Sequence, residues 1–336
     1  MSDLPELYVI GGSNSLMRGG WVHHLTSMVT LKYKVVNKSV GAATSLMGIY
    51  RLMTEDIPSN ATIIWEYSLN EQNHFRHGQS VKSLIYHCEW FLELCARRGI
   101  RVLPVLFRNL SEMAVGSPTQ WRHALGEMLT ERGLTAFDLE TPLKLRCSRE
   151  GKPVAEFYAD EAHYRLGTGF PFWIASRVVQ LLEGARVPQR SLALAGRDLG
   201  MARPNGAVSR TYENSVVRTE TFNLDQPLVW EISGQLLGCF LMAATSGRSV
   251  SIMVDDVQIG IYSTQSPEGA KQPSRLLKHL VLWQNPNDRQ AVVGSVRMCL
   301  TDQRVRPIVQ NQFSWHASNT LGPVEAIIGL LIETQS

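Results

Sequence analysis

No window of the sequence stays apolar for long enough to cross a bilayer, so no membrane-spanning helix is expected. Charge of one sign is scarce too: 33 Lys and Arg against 30 Asp and Glu leave a formal net charge of +3. No basic stripe is interleaved with stacking aromatics, which excludes nucleic acid as an expected partner. The densest basic cluster, CARRGIR at 95–101, reads as a helix end running into a strand, with Arg97 and Arg98 placed against the negative end of the helix. Cysteine is sparse and odd in number. Cys88, Cys95, Cys147, Cys239 and Cys299 lie mainly in apolar runs, the pattern of reduced, buried thiols. The opening MSDLPELYVIGG has no basic n-region and only a strand-length apolar stretch, so no secretory signal is read and the expected compartment is the cytoplasm. Neither GxGxxG nor GxxxxGK occurs, and nothing points to a nucleotide. His74 and His77 in HFRHG have a metal-like spacing, but no further ligand cluster completes a site; no metal is expected there.

What is present is enough apolar material for two cores: 336 residues, 44% hydrophobic and 19% charged. From Leu7 to about Gly184 short apolar runs alternate with helical patterns, the signature of a three-layer α/β unit with a parallel sheet. Strands are expected at Leu7 to Ile10, Lys34 to Val36, Thr62 to Glu66, Arg101 to Phe107 and Thr135 to Leu139. The clearest helix runs from Ser80 to Arg98, with Gly99 at its C-cap position. Residues 186–208 carry prolines and glycines without a sustained period and read as a linker. After it, runs such as LVWEIS, SVSIMV and VVGSVRMCL recur between turn residues, which predicts an all-β domain of antiparallel, sandwich-like type over 209–336. The first domain is then 1–185. Trp230, Trp283 and Trp315 of the second could serve its core or stack on sugar rings. Its alternating strands could mediate self-association or sugar binding.

Four short segments carry candidate chemistry. YVIGGSNSLMRGG at 8–20 puts Ser13 after the first strand and before a helical pattern, either as a nucleophile at the carboxyl end of the sheet or as a hydroxyl capping a helix. NKSVGAATS follows the second strand and offers Gly41 and Ala42, whose backbone N–H groups could meet a developing oxyanion; Gly41 could equally serve a bend. SLNE after the third strand offers the side-chain amide of Asn70, for the same task or for an Asx-turn. FYADEAHYRL, ahead of the last helix of the unit, pairs Asp160 with His163 so that the carboxylate can hold one imidazole nitrogen while the other faces a hydroxyl. Asp160 as a helix N-cap is the alternative.

In that order, the Ser, Gly, Asn and DxxH blocks resemble the SGNH (GDSL-type) hydrolase family over residues 7 to about 184. The resemblance implies a flavodoxin-like three-layer sandwich, a Ser-His-Asp acyl-enzyme mechanism and no metal or organic cofactor. It makes Ser13 the nucleophile, His163 the general base and Asp160 its orienting acid, with Ser13, Gly41 or Ala42, and Asn70 as oxyanion donors. The letters depart from the family pattern at Gly12, which replaces the Asp of GDS, and at Ser68 and Glu71, which replace the Gly and Asp of GxND. The expected activity is hydrolysis of small O-acyl esters, acetyl above all, with an acylated carbohydrate or polysaccharide as substrate. Two other readings are an O-acyltransferase acting on a glycan and a catalytically silent glycan-binding protein.

Overall fold

A computed structural model describes residues 4–214, 217–244, 247–264, 275–282, 291–303 and 326–335. The chain divides into two compact units, Met1–Phe75 with Leu84–Ala193, and Arg76–Ser83 with Leu194–Ser336.

The first unit runs β1 (Glu6–Gly11), α1 (Trp21–Val29), β2 (Lys34–Asn37), α2 (Ser45–Thr54), β3 (Thr62–Glu66), α3 (Ser68–Arg76), α4 (Val81–Arg97), β4 (Arg101–Leu106), α5 (Leu110–Val115), α6 (Gln120–Glu131), β5 (Phe137–Asp138), α7 (Glu140–Glu150) and α8 (Gly169–Leu181). Its sheet has the order β2-β1-β3-β4-β5 and every pairing is parallel. This is the flavodoxin-like order, in which ligands bind outside the carboxyl ends of the strands. The central strand β3 is buried along its whole length and β1 from its second residue on, which is why both read as continuous apolar runs. Successive β1 side chains serve opposite faces: Leu7 and Val9 join a core with Trp21, Leu25, Phe107 and Ile174, while Ile10 points toward α2. The fifth strand is shorter than expected, since only Phe137 and Asp138 of the 135–139 run pair with β4.

Among the described residues every strand pairing of the second unit is antiparallel. The unit comprises β6 (Arg197–Ala202), β7 (Ser209–Glu213), β8 (Arg218–Asn223), β9 (Leu228–Ala244), β10 (Ser249–Val254), β11 (Val257–Ser263), β12 (Arg275–Val281), β13 (Ala291–Thr301) and β14 (Ala326–Gln335). The long strand β9 organises it: residues 228–235 pair with β13, 235–242 with β14 and 238–244 with β12. Part of the expected linker 186–208 is structured, because β6 pairs with β14; its short, partly exposed RDLGMA run carries no strong strand pattern, and its partner lies at the far end of the chain. Trp230 is no sugar platform. It is wholly buried in the β core, and its indole N–H donates to the Ala202 carbonyl at 3.2 Å. Trp283 and Trp315 lie outside the described residues.

No helix among the described residues is long and apolar enough to cross a membrane. All five cysteines are unpaired, four of them buried and Cys299 half-buried.

Gly48 shows how tightly the layers close. A β-carbon there would stand 2.9 Å from Phe91 Cδ2 on α4 and 3.7 Å from Ile10 Cγ2 on β1. In an open helix, Gly→Ala gains about 1 kcal/mol in propensity. Here the clash outweighs it, and Gly48→Ala is expected to destabilise the protein by about 1–3 kcal/mol in denaturant unfolding.

Candidate active site

Ser13 lies two residues beyond the end of β1, in a 3₁₀ turn, Ser13–Ser15. The turn is separate from α1, which starts only at Trp21 with Gly20 as its N-cap. The expectation that a helix begins directly behind Ser13 is therefore corrected: Gly19, with φ of 77°, and Gly20 break the helical pattern before it. The helix-cap reading of Ser13 falls with it, since Ser13 caps no helix and its hydroxyl reaches elsewhere.

That partner is His163. Ser13 Oγ and His163 Nε2 are 2.8 Å apart, across 150 residues of sequence. His163 Nδ1 stands 2.8 Å from Asp160 Oδ2 and 3.0 Å from Oδ1. A carboxylate can only accept, so Nδ1 carries the proton and Nε2 is left as acceptor for the serine O–H. Burial alone would raise the Asp160 pKa, but hydrogen bonds from the Ala162 N–H, the His163 ring and the His163 N–H hold it below its ordinary value. The N-cap of α8 is Thr168, whose side chain accepts from the Phe170 N–H, so Asp160 is not a helix cap.

The segment holding this pair is a narrow hairpin. Tyr158 bridges Tyr164, Ala159 N–H donates to the His163 carbonyl at 2.8 Å, and Arg165 N–H donates to the Phe157 carbonyl at 2.9 Å. Both tyrosine hydroxyls anchor it on the Arg108 carbonyl, at 2.9 and 3.3 Å. Asn14 then ties it to the serine turn: its Nδ2 donates to Ala162 O at 2.8 Å and its Oδ1 accepts from Tyr164 N–H at 3.1 Å. One buried carboxamide thus fixes the residues on either side of His163 relative to the neighbour of Ser13.

The other two blocks close on the same turn. A β-carbon on Gly41 would lie 3.7 Å from Ser13 Cβ and 4.0 Å from its Cα, so the bare glycine backbone faces the serine. Ala42 has φ of 56°, the left-handed region uncommon for a residue with a side chain, and its carbonyl is 3.3 Å from His74 Nε2. Asn70 sits in the first turn of α3, and its Nδ2 donates to Ala43 O at 2.8 Å. The 41–43 loop is thereby held from below by two α3 side chains. Gly12, where the family pattern has an acid, leaves room for Asn70 on the other side, since a β-carbon at position 12 would be 2.6 Å from Asn70 Nδ2. Ser13, Gly41, Ala42, Asn70, Asp160 and His163 form one cluster. His74 is buried, His77 is exposed, and no group of metal ligands occurs among the described residues.

Sequence patterns assign no role to the two carboxyls beneath this cluster, although Glu71 stands where the family block has Asp. Glu66, the last residue of β3, accepts from the Gly12 N–H at 3.1 Å and the Ser15 hydroxyl at 2.7 Å. Glu71 accepts from the Ser45 N–H at 2.9 Å. An acid closing the apolar run IIW of β3 is the available signal for Glu66. A groove of roughly 900 Å³ lined by Glu6, Lys34, Thr62 and Arg101 lies at the opposite, amino ends of the strands, away from this chemistry.

Burial pushes Glu71 from 4.5 up to about 7, against hydrogen bonds from Ser45 and Cys88 that favour its charge. Between those values the unfolded chain has released a proton that the folded chain keeps, so rising pH favours unfolding. The stabilising contribution is fully present below about pH 4.5 and is lost as pH passes about 7. Glu71→Gln cannot ionise, so its unfolding free energy minus that of the wild type should grow across this window; a pH-independent difference would contradict the assignment.

No protein-family model and no curated protein sequence matches the chain. Among solved structures it is similar to a two-domain esterase (CEX) active on acetylated mannans, with a TM-score of 0.63 and 12% identity over 99% of this chain and 92% of that one. The structure of that esterase co-crystallised with mannopentaose gives a TM-score of 0.64 and 13% identity, over 99% and 91% of the two chains. At such identity the likeness is one of fold: this chain shares with that two-domain esterase a parallel α/β unit followed by an antiparallel β unit.

Proposed function

We propose that the protein is a serine esterase that removes small acyl groups, acetyl foremost, from an acylated carbohydrate. The observation that carries this reading is the continuous chain from Ser13 Oγ through His163 to Asp160, with both contacts at 2.8 Å. Ser13 Oγ attacks the ester carbonyl while its proton passes to His163 Nε2, and Asp160 stabilises the imidazolium so formed. The negative charge on the carbonyl oxygen is met by the backbone N–H groups of Ser13 and Gly41 or Ala42 and by the Asn70 amide; each such donor is typically worth about 3–4 kcal/mol. The imidazolium returns its proton to the leaving alcohol, and the acyl group remains on Ser13. Water repeats the cycle: His163 takes its proton, the hydroxide oxygen adds to the acyl carbon, and the Ser13–acyl bond breaks as Oγ is reprotonated.

The carbohydrate part rests on the shared fold with an esterase active on acetylated mannans, across both units of this chain. The side chains of Asp160 and His163 are 58% and 37% exposed, which leaves the pair accessible to a bulky polymeric ester. Unpaired cysteines support a reducing compartment as its setting.

The test is turnover of p-nitrophenyl acetate and release of acetate from acetylated mannan. Ser13→Ala is expected to lower kcat by about 1,000-fold or more while the fold persists. Equal rates in wild type and variant would overturn the esterase reading; polysaccharide binding without turnover would favour a silent binding protein.

A further inference from the structure

Glu66 is unusual among the acids near Ser13. It is 1% exposed, at the carboxyl end of the central strand β3, in register with Gly11 of β1. Its Oε2 receives two hydrogen bonds from the serine turn, the Ser15 hydroxyl at 2.7 Å and, at 3.1 Å, the Gly12 N–H, which it shares with the Glu66 backbone carbonyl at 3.0 Å. These donors flank Ser13 on both sides. Gly12 has no side chain that could hold the turn from within, and one placed there would displace Asn70.

We propose that Glu66 is the positioning residue of the serine turn, holding it from β3 through a buried carboxyl. A carboxyl oxygen below the turn fixes the Gly12 peptide and Ser15, and with them the direction in which Ser13 presents Oγ to His163. The space over Gly12 is thereby left to the Asn70 amide. The assignment rests on the esterase reading for its kinetic consequence, and on geometry alone for its structural one.

The charge of Glu66 matters to the same site. Burial raises its pKa to about 8, against hydrogen bonds from Ser15 and Gly12 that favour the charged form. The charged groups facing it are Arg122 on α6, which lowers the value, and Glu71 on α3, which raises it. Its phenolic neighbours Tyr67 and Tyr164 are both buried and shifted upward, so they stay neutral. Below about pH 8 the turn therefore rests on a neutral carboxyl; above it, a negative charge appears next to the peptide that leads into Ser13. Such a charge opposes the developing oxyanion.

Three measurements on the full chain test this. In hydrogen–deuterium exchange, Glu66→Ala should speed exchange of the Gly12–Leu16 amides and Glu66→Gln should leave them protected; this readout needs no activity. On p-nitrophenyl acetate, Glu66→Ala should lose about 100-fold in kcat with little change in KM, and Glu66→Gln should recover most of the loss. The wild-type kcat should decline above about pH 8, and the Gln variant should lack that decline. Unchanged exchange and unchanged kcat in Glu66→Ala would overturn the proposal. Absence of turnover in the wild type would count against the esterase reading, while the exchange result would still decide the role of Glu66.

Discussion

The contact on which the site depends is the one that joins Ser13 to His163 across 150 residues of chain. A hydrogen bond between a side chain on a tight turn and another on an exposed hairpin is worth little unless both supports are rigid. Asn14 meets that requirement by bonding Ala162 O and Tyr164 N–H with the two ends of one carboxamide. Tyr158 and Tyr164 add a second anchor on the Arg108 carbonyl, and their rings pack together with centroids 4.9 Å apart. The hairpin is thus fixed at its base by apolar burial and near its tip by a polar clamp, leaving Asp160 and His163 free to face solvent.

Beneath the site the chemistry is reversed. Where the Asp160–His163 pair is open to solvent, Glu66 and Glu71 are fully buried and burial favours their neutral forms. Each is satisfied by backbone N–H or hydroxyl donors, the condition under which a buried acid is tolerated. They stabilise different parts of one surface: Glu66 the serine turn, Glu71 the start of α2 just beyond the Gly41–Ala43 loop.

Much of this was legible in the residues. The apolar runs of β1, β3 and β4 are long and buried, so their periodicity located them to within a residue or two. The Ser, Gly, Asn and DxxH segments fall at strand ends or ahead of a helix, where an α/β sheet gathers its chemistry, and the structure assembles them in one place. What escaped notice did so for physical reasons. Helix α3, SLNEQNHFR, has no apolar stripe because its buried positions Asn70, Glu71, Gln72 and His74 are polar. Strand β6 was hidden inside an apparent linker because its sequence is short and mixed, and only pairing with β14 makes it a strand. The break between the serine turn and α1 depends on the positive φ of Gly19, which a helical pattern carried across Gly19 and Gly20 conceals.

The account turns on whether Ser13 is the nucleophile, and a covalent probe tests this most directly. Treatment with a fluorophosphonate followed by peptide mass spectrometry should place a single adduct on Ser13, and His163→Ala should abolish labelling. No adduct on the folded wild-type protein, or an adduct on any other residue, would contradict the account.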